Sequence, residues 1–355
     1  MDFSLSEEQR ALRDLARRIF REHANSEPAA LWRELSKAEL LGLPIPPEAG
    51  GAGLGFFELS LLLEEAGAAG ALAPLHPTLV LGALPIAAFG SDEQKQRILR
   101  PVASGDQVLS AALVDGADGV SASSDGGGFR LEGSCECVPA LPLAARVLVP
   151  ATDDDGNAGV FIVDPRASGA RVEAQLPTNE ESMGRLELDA VRVGASDVLA
   201  APDAGQPVLD FMLEHARAGL CALALGVAER ALELTARYAT ERHQFDRPIG
   251  TFQAVSQRAA DGYIDVEAMR LTTWRAVWLL SEGRPAKREV AIAKLVAAEA
   301  GHRVVNAAQH IHGGMGFDRS YPLHRYFLWE RQIEFTLGSA ARELSRLGAM
   351  IAAGD

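Results

Sequence analysis

Cysteine, tyrosine and tryptophan are scarce in this chain: 355 residues carry three Cys, four Tyr and four Trp. Three cysteines exclude a disulfide framework. Cys135 and Cys137 lie two apart, on one face if the segment is a strand. A tetrahedral metal site needs four ligands, so the pair reads as structural and no metal is expected. Positive charge is also short: 34 Lys and Arg stand against 48 Asp and Glu, a net charge of −14. That balance excludes a duplex nucleic-acid binder, which needs a basic face, but leaves room for a phosphorylated ligand held by a local arginine. No uninterrupted apolar run of membrane-spanning length occurs, so no membrane span is expected. The acidic segment from Met1 to Gln9 has no apolar core of the secretory type. These absences point to a cytoplasmic protein.

What is present is ordinary globular composition, 48% hydrophobic and 23% charged, in a chain long enough for two or three domains. Residues 1–104 read as helical. Ser6 to Gln9 forms a capping box, and Leu12, Leu15, Ala16, Ile19 and Phe20 follow at helical spacing. The Gly- and Pro-rich stretch from Gly42 to Gly53 interrupts the pattern, Phe56 to Gly67 resumes it, and Ser91 to Gln94 caps a further helix. Residues 105–205 change character. The runs Arg146–Val149, Val160–Val163 and Arg185–Val193 predict strands, with turns at Ser123–Gly128 and Asp153–Asn157. Residues 206–355 return to helix. The spacing predicts helices from Pro207 to about Arg242, Thr251 to Glu282, Pro285 to His312, and about Tyr326 to Ala353. Helices, then strands, then helices define an α+β class rather than an alternating βαβ one.

Two glycine- and arginine-bearing spots carry chemistry. The turn Gly313-Gly-Met-Gly316 lets backbone approach a ligand closely, or serves simply as the cap of the preceding helix. Arg242 is favourable against a helix C-terminus and is equally able to grip a phosphate. Phe245, in the turn that follows, suits a core or an adenine face. His310 and His312 sit two apart on a helix and do not face one another, which argues against a metal site.

Order and spacing join these signals. The junction from Arg237 to Gln253 resembles the R-x-x-F-G-x-x-I-x-x-F-Q segment of the flavin-dependent acyl-CoA dehydrogenases. Gln309 to Phe317 resembles the same family's Q-x-x-G-G-x-G-F loop. Matched positions are Arg242, Phe245, Ile249, Phe252 and Gln253, then Gly313, Gly314, Gly316 and Phe317, then Pro322 and Gly338. The resemblance implies an N-terminal helical domain, a central β domain and a C-terminal four-helix bundle. It implies FAD as cofactor and an acyl-CoA as substrate. It would place Arg242, Phe245, Gln253, Gly313, Gly314, Gly316 and Ser339, with Gln309 or His310, against FAD shared with a neighbouring subunit. The central part departs from the family. The T-E-P-x-x-G-S-D segment has no match in Leu109–Asp115, and the flavin-packing strand carries Pro139, which has no N–H to offer.

Such enzymes remove a proton α to a thioester with a carboxylate while the β hydrogen leaves as hydride. The family places its glutamate in one of two positions, and here these are Leu337 and Ala216. Neither side chain accepts a proton. Glu214, turned roughly 200° from Ala216 about a helix axis, and Glu334 are the nearby carboxylates. The segment from Gln309 to Tyr326 resembles in particular the base-less subunits of heteromeric actinobacterial acyl-CoA dehydrogenases. Their partner is a second subunit bearing the glutamate, and electrons pass to a separate acceptor. The alternatives are a self-sufficient homo-oligomer using Glu214 or Glu334, and a flavin-free structural paralogue.

Overall fold

A computed structural model describes residues 3–23, 26–114 and 119–354. Asp115 of the unmatched central segment lies outside them. The chain divides into two compact units: residues 1–25, 56–71 and 217–355 form one, and residues 26–55 and 72–216 the other.

The first unit is helical. It contains α1 (Glu7–Glu22). Its other long helix from the N-terminal half we label α3 (Phe56–Ala69); α2 (Pro28–Lys37) belongs to the second unit. Ser6 caps α1 as its sequence predicts, its hydroxyl accepting from the Gln9 N–H at 3.1 Å while Gln9 returns a bond to the Ser6 N–H at 2.9 Å. Ala16, Ile19 and Phe20 form the buried stripe. Glu64 of α3 is buried, and burial holds its carboxyl above the usual carboxylate range. It accepts from Arg13 of α1 at 3.0 Å and from the Trp274 indole at 3.2 Å, so the charge is desolvated only where donors surround it.

The second unit holds the short helices α4 (Leu84–Phe89), α5 (Asp92–Gln94) and α6 (Arg100–Ala103) and a mixed sheet. Its strands are β1 (Val108–Ala111), β2 (Val120–Asp125), β3 (Gly128–Pro139), β4 (Ala144–Thr152), β5 (Ala158–Val163), β6 (Ala170–Gln175), β7 (Met183–Gly194) and β8 (Val198–Ala200). They run in the order β6-β7-β3-β2-β4-β5-β8, with β1 pairing parallel to β4. Leu131, Val147, Val149, Phe161, Leu186 and Leu188 fill its core. The predicted strands at 146–149, 160–163 and 185–193 all lie within these elements. One expectation fails: Cys135 and Cys137 do not share a face. The β3–β7 register shifts between Cys135 and Val138, and Cys137 takes φ +52°. This bulge breaks the two-residue alternation, leaving Cys135 buried and Cys137 exposed.

The long helix α7 (Gly205–Glu241) starts in the second unit and continues into the first. By length and composition it could cross a membrane, but 78% of its most apolar window is buried in the fold, as in a core helix. The first unit continues with a two-residue hairpin, β9 (His243–Gln244) and β10 (Arg247–Pro248), then α8 (Gln253–Ser281) and α9 (Lys287–His312). The expected last helix from Tyr326 to Ala353 is two helices, α10 (Leu323–Phe335) and α11 (Ala340–Ala353). The break has a local cause. Leu337 and Gly338 adopt φ +57° and +136°, which no right-handed helix accommodates.

Candidate functional site

Four places in the chain carry the predicted residues. The first is the end of α7 and the hairpin after it. The Arg242 N–H donates to the Tyr238 carbonyl at 2.8 Å, and the Arg242 carbonyl accepts from the Ile249 N–H at 2.8 Å. The Arg242 side chain is exposed and has no ion pair among the described residues. Phe245 and Asp246 form the hairpin tip, both left-handed at φ +54° and +63°, the backbone that a two-residue turn between antiparallel strands demands. Phe245 is 86% exposed, so it is not core. Its ring meets Phe252 edge-on at 6.1 Å, and Arg247 lies 4.2 Å over the same Phe252 ring. Gln253 opens α8 and is exposed.

The second is the turn Gly313–Phe317, which follows α9. Gly313 caps the helix at φ +58°, its N–H donating to the Gln309 carbonyl. The cap and the exposed glycine turn are thus one feature. A Cβ on Gly313 or Gly314 would meet nothing within 4 Å, so this backbone is open to approach. Gly316 is the opposite case: a Cβ there would fall 2.2 Å from Gln309 Oε1. Gln309 is buried beneath the turn, and its Oε1 has no hydrogen-bond partner among the described residues. His310 is exposed.

Sequence reasoning passed over the residues around His312. His312 is buried, with Nδ1 donating to the Ala308 carbonyl at 2.8 Å and Nε2 accepting from the Tyr321 hydroxyl at 3.1 Å. Its ring stacks on Tyr238 at 4.3 Å between centroids. Burial holds it below the ordinary histidine range, so it is neutral at neutral pH. The scarcity of tyrosine was the available signal, since Tyr238 and Tyr321 flank the two matched motifs.

The third place is the α10–α11 joint, where the family base would stand. Arg217 of α7 donates from Nε to the Leu337 carbonyl at 3.0 Å. Lys294 of α9, fully buried, donates to the Ile333 and Glu334 carbonyls at 2.8 and 3.2 Å and so caps α10. Gly338 packs on the buried Glu343, where a Cβ would lie 2.1 Å from Oε1. Arg346 holds that carboxylate at 2.8 and 2.9 Å. Ser339 is the N-cap residue of α11. Glu334 is engaged by Arg331 and, at 3.1 Å, by His302. Glu330, fully buried, has its carboxyl pushed up to about 8 by desolvation. It lies against Gly301 of α9, and neither of its oxygens has a hydrogen-bond partner among the described residues.

In the second unit, Ala216 is fully buried and its carbonyl accepts from His76 Nε2 at 2.9 Å. Glu214 is half-buried on the same helix. Ser110, buried on β1, donates its hydroxyl to the Pro139 carbonyl. Among the described residues no group of three or more His, Cys, Asp or Glu is disposed to hold a metal.

A mixed sheet that lies between helical stretches in the chain, with a broken C-terminal helix pair, is the acyl-CoA dehydrogenase type of fold, and the chain belongs to the acyl-CoA dehydrogenase family. The family's N-terminal domain matches residues 6–106 and its C-terminal domain residues 187–351. Members are FAD-dependent oxidoreductases acting on CH–CH bonds. Among relatives, acyl-CoA dehydrogenase FadE27 of Mycobacterium tuberculosis is 42% identical over 98% of this chain and 92% of its own length. The short-chain specific acyl-CoA dehydrogenase of Bos taurus mitochondria is 30% identical over 96% of this chain and 85% of its own. The ChsE4–ChsE5 complex of Mycobacterium tuberculosis superposes with TM-score 0.93 at 40% identity, covering 99% of each chain. A Tcur3481–Tcur3483 steroid ACAD variant gives TM-score 0.91 at 44% identity, again over 99% of each.

The residues fit part of that cofactor. An exposed Arg242 and an open glycine backbone suit a diphosphate. The sheet fits the flavin ring less well: Pro139 has no N–H, and the Ser110 hydroxyl is already committed to its carbonyl.

Proposed function

We propose that this chain is the subunit without a catalytic base in a heteromeric FAD-dependent acyl-CoA dehydrogenase of the cytoplasm. The carrying observation is that Leu337 and Ala216 occupy both base positions while the Arg242 hairpin and the glycine turn remain open and exposed. Here Arg242, Phe245, Gln253, Gln309, His310, Gly313, Gly314, Gly316 and Ser339 complete an FAD site whose flavin-facing half belongs to a glutamate-bearing partner. In the reaction the partner's carboxylate takes the α proton of an acyl-CoA thioester, the Cα=Cβ bond forms, and the β hydrogen leaves as hydride. Bound FAD supplies the hydride acceptor. A separate electron-transfer protein then receives the electrons.

Exposed apolar residues support association. Ile264 and Leu271 on α8, and Leu344 and Ile351 on α11, lie seven residues apart on each helix and are more than half exposed, so each pair makes a stripe fit for another subunit. The steroid ACAD among the similar structures points to a bulky acyl group as the substrate class. A self-sufficient enzyme using Glu334 is disfavoured because Arg331 and His302 engage that carboxylate.

The test is an absorbance spectrum of the chain purified alone and after co-expression with a glutamate-bearing family member. Little flavin alone, and stoichiometric flavin bleached by acyl-CoA in the complex, is the expected result. Full flavin that bleaches with acyl-CoA in the lone chain would refute the reading.

A further inference from the structure

We infer that Tyr238, His312 and Tyr321 form a positioning device that fixes the glycine turn against the Arg242 end of α7. It would thereby hold in register the two halves of a surface for an adenosine diphosphate group. This inference rests on the half-site reading above.

The geometry assigns each group a task. A backbone carbonyl only accepts, so the Nδ1 of His312 facing Ala308 carries the proton. In the neutral ring Nε2 is then a bare acceptor, and the Tyr321 hydroxyl donates to it. His312 immediately precedes the turn and Tyr321 lies beyond it, so this one bond pins together the two ends of segment 313–320, which is exposed except at Gly316. Within the segment, Asp318 Oδ1 accepts from the Ser320 N–H at 2.8 Å, and the Tyr321 N–H donates to the Asp318 carbonyl at 3.0 Å. These bonds shape the exit of the turn but do not tie it to α7.

The tie to α7 is the Tyr238 ring, stacked on His312 at 22° between planes and edge-on to Tyr321 at 6.4 Å. The carbonyl of Tyr238 receives the Arg242 N–H. A short chain of contacts therefore runs from Arg242 through Tyr238 and His312 to Gly313. Exposed glycine backbone has little else to choose one conformation, so preorganisation must come from its anchors. Around the cluster, Arg230, Arg237 and Glu241 of α7 are the charged groups acting on Tyr321.

The experiment uses the full chain with ADP as probe, read by saturation-transfer NMR, and backbone hydrogen exchange across residues 313–320. Tyr321→Phe deletes one hydroxyl and keeps the ring; Tyr238→Leu deletes the stack; Tyr238→Phe preserves it. Tyr321→Phe and Tyr238→Leu should each weaken ADP binding by roughly tenfold and speed exchange in the turn, with little change in Tm. Tyr238→Phe should behave as the parent chain, which a role in bulk packing alone would not require of the Tyr321→Phe defect. Unchanged exchange and ADP affinity in Tyr321→Phe and Tyr238→Leu would overturn the positioning role and leave the half-site standing. ADP binding that is absent, or indifferent to Arg242→Met, would overturn the half-site and this inference with it.

Discussion

Arg217 Nε lies 3.0 Å from the carbonyl oxygen of Leu337, so a part-buried cation of α7 grips the backbone at the point where α10 and α11 part. The same guanidinium sits 3.8 Å from the fully buried Glu343. Arg217→Met removes the donor to a part-buried carbonyl and one of two cations beside Glu343, and should cost about 1–3 kcal/mol. Urea unfolding checks it, and a loss below half a kcal/mol would mean that the contact is incidental.

Gly338 should not tolerate alanine. Its φ of +136° is a glycine conformation, and the new Cβ would land on Glu343 Oε1. Gly338→Ala should lose roughly 2 kcal/mol or more, with the α10–α11 joint showing the first increase in hydrogen exchange.

Restoring the missing carboxylate tests the two halves of the site separately. Leu337→Glu leaves the hydrogen bond at this position in place, because the Leu337 carbonyl makes it. The variant should fold normally and still show no dehydrogenation alone, since Ser110 and Pro139 offer the flavin ring no free donor. Substrate-dependent flavin bleaching by Leu337→Glu without a partner would contradict that reading of the sheet.

Buried titratable groups should give the stability of this chain two opposing pH slopes. In the helical unit, Glu330 is raised from 4.5 to about 8. Its contribution is fully present below about 4.5 and lost as pH rises through about 8. In the other unit, His76 and His215 are lowered from 6.5 to about 4 by burial. Their contribution is present above 6.5 and lost as pH falls through about 4. Denaturant midpoints from pH 4 to 9 should show both slopes, and Glu330→Gln should make the falling one shallower, leaving the part that Glu64 contributes.

The three thiols should separate cleanly. Cys137 is exposed at the β3 bulge, whereas Cys135 is buried and the Cys221 thiol is pushed up to about 12 by burial. A disulfide reagent on the native chain should therefore label one thiol quickly and the others only on unfolding. Fast labelling of two would contradict the bulge.

The sequence made most helices legible because their apolar spacing is set locally, as at Ala16, Ile19 and Phe20. It hid what depends on a single dihedral. Nothing in the apolar pattern separates Phe335 from Ala340, so the break at Leu337 and Gly338 was read as continuous helix. Cys137 misled for the same reason, since one left-handed residue undoes a two-residue alternation. At the site, Arg242 and the glycines were legible as motifs. The Tyr238–His312 stack was not, because it joins residues 74 positions apart, and no local signal marks such a contact.

The α10–α11 joint has an evolutionary corollary. Residue 337 is gripped through its carbonyl, while the turn around it is braced by Gly338, Glu343, Lys294 and Arg217. These anchors do not depend on which side chain stands at 337. A duplicated subunit could exchange glutamate for leucine there without being purged as misfolded. Once a sister copy supplied the base, drift alone could make the pair mutually dependent, with no gain in fitness needed to start it.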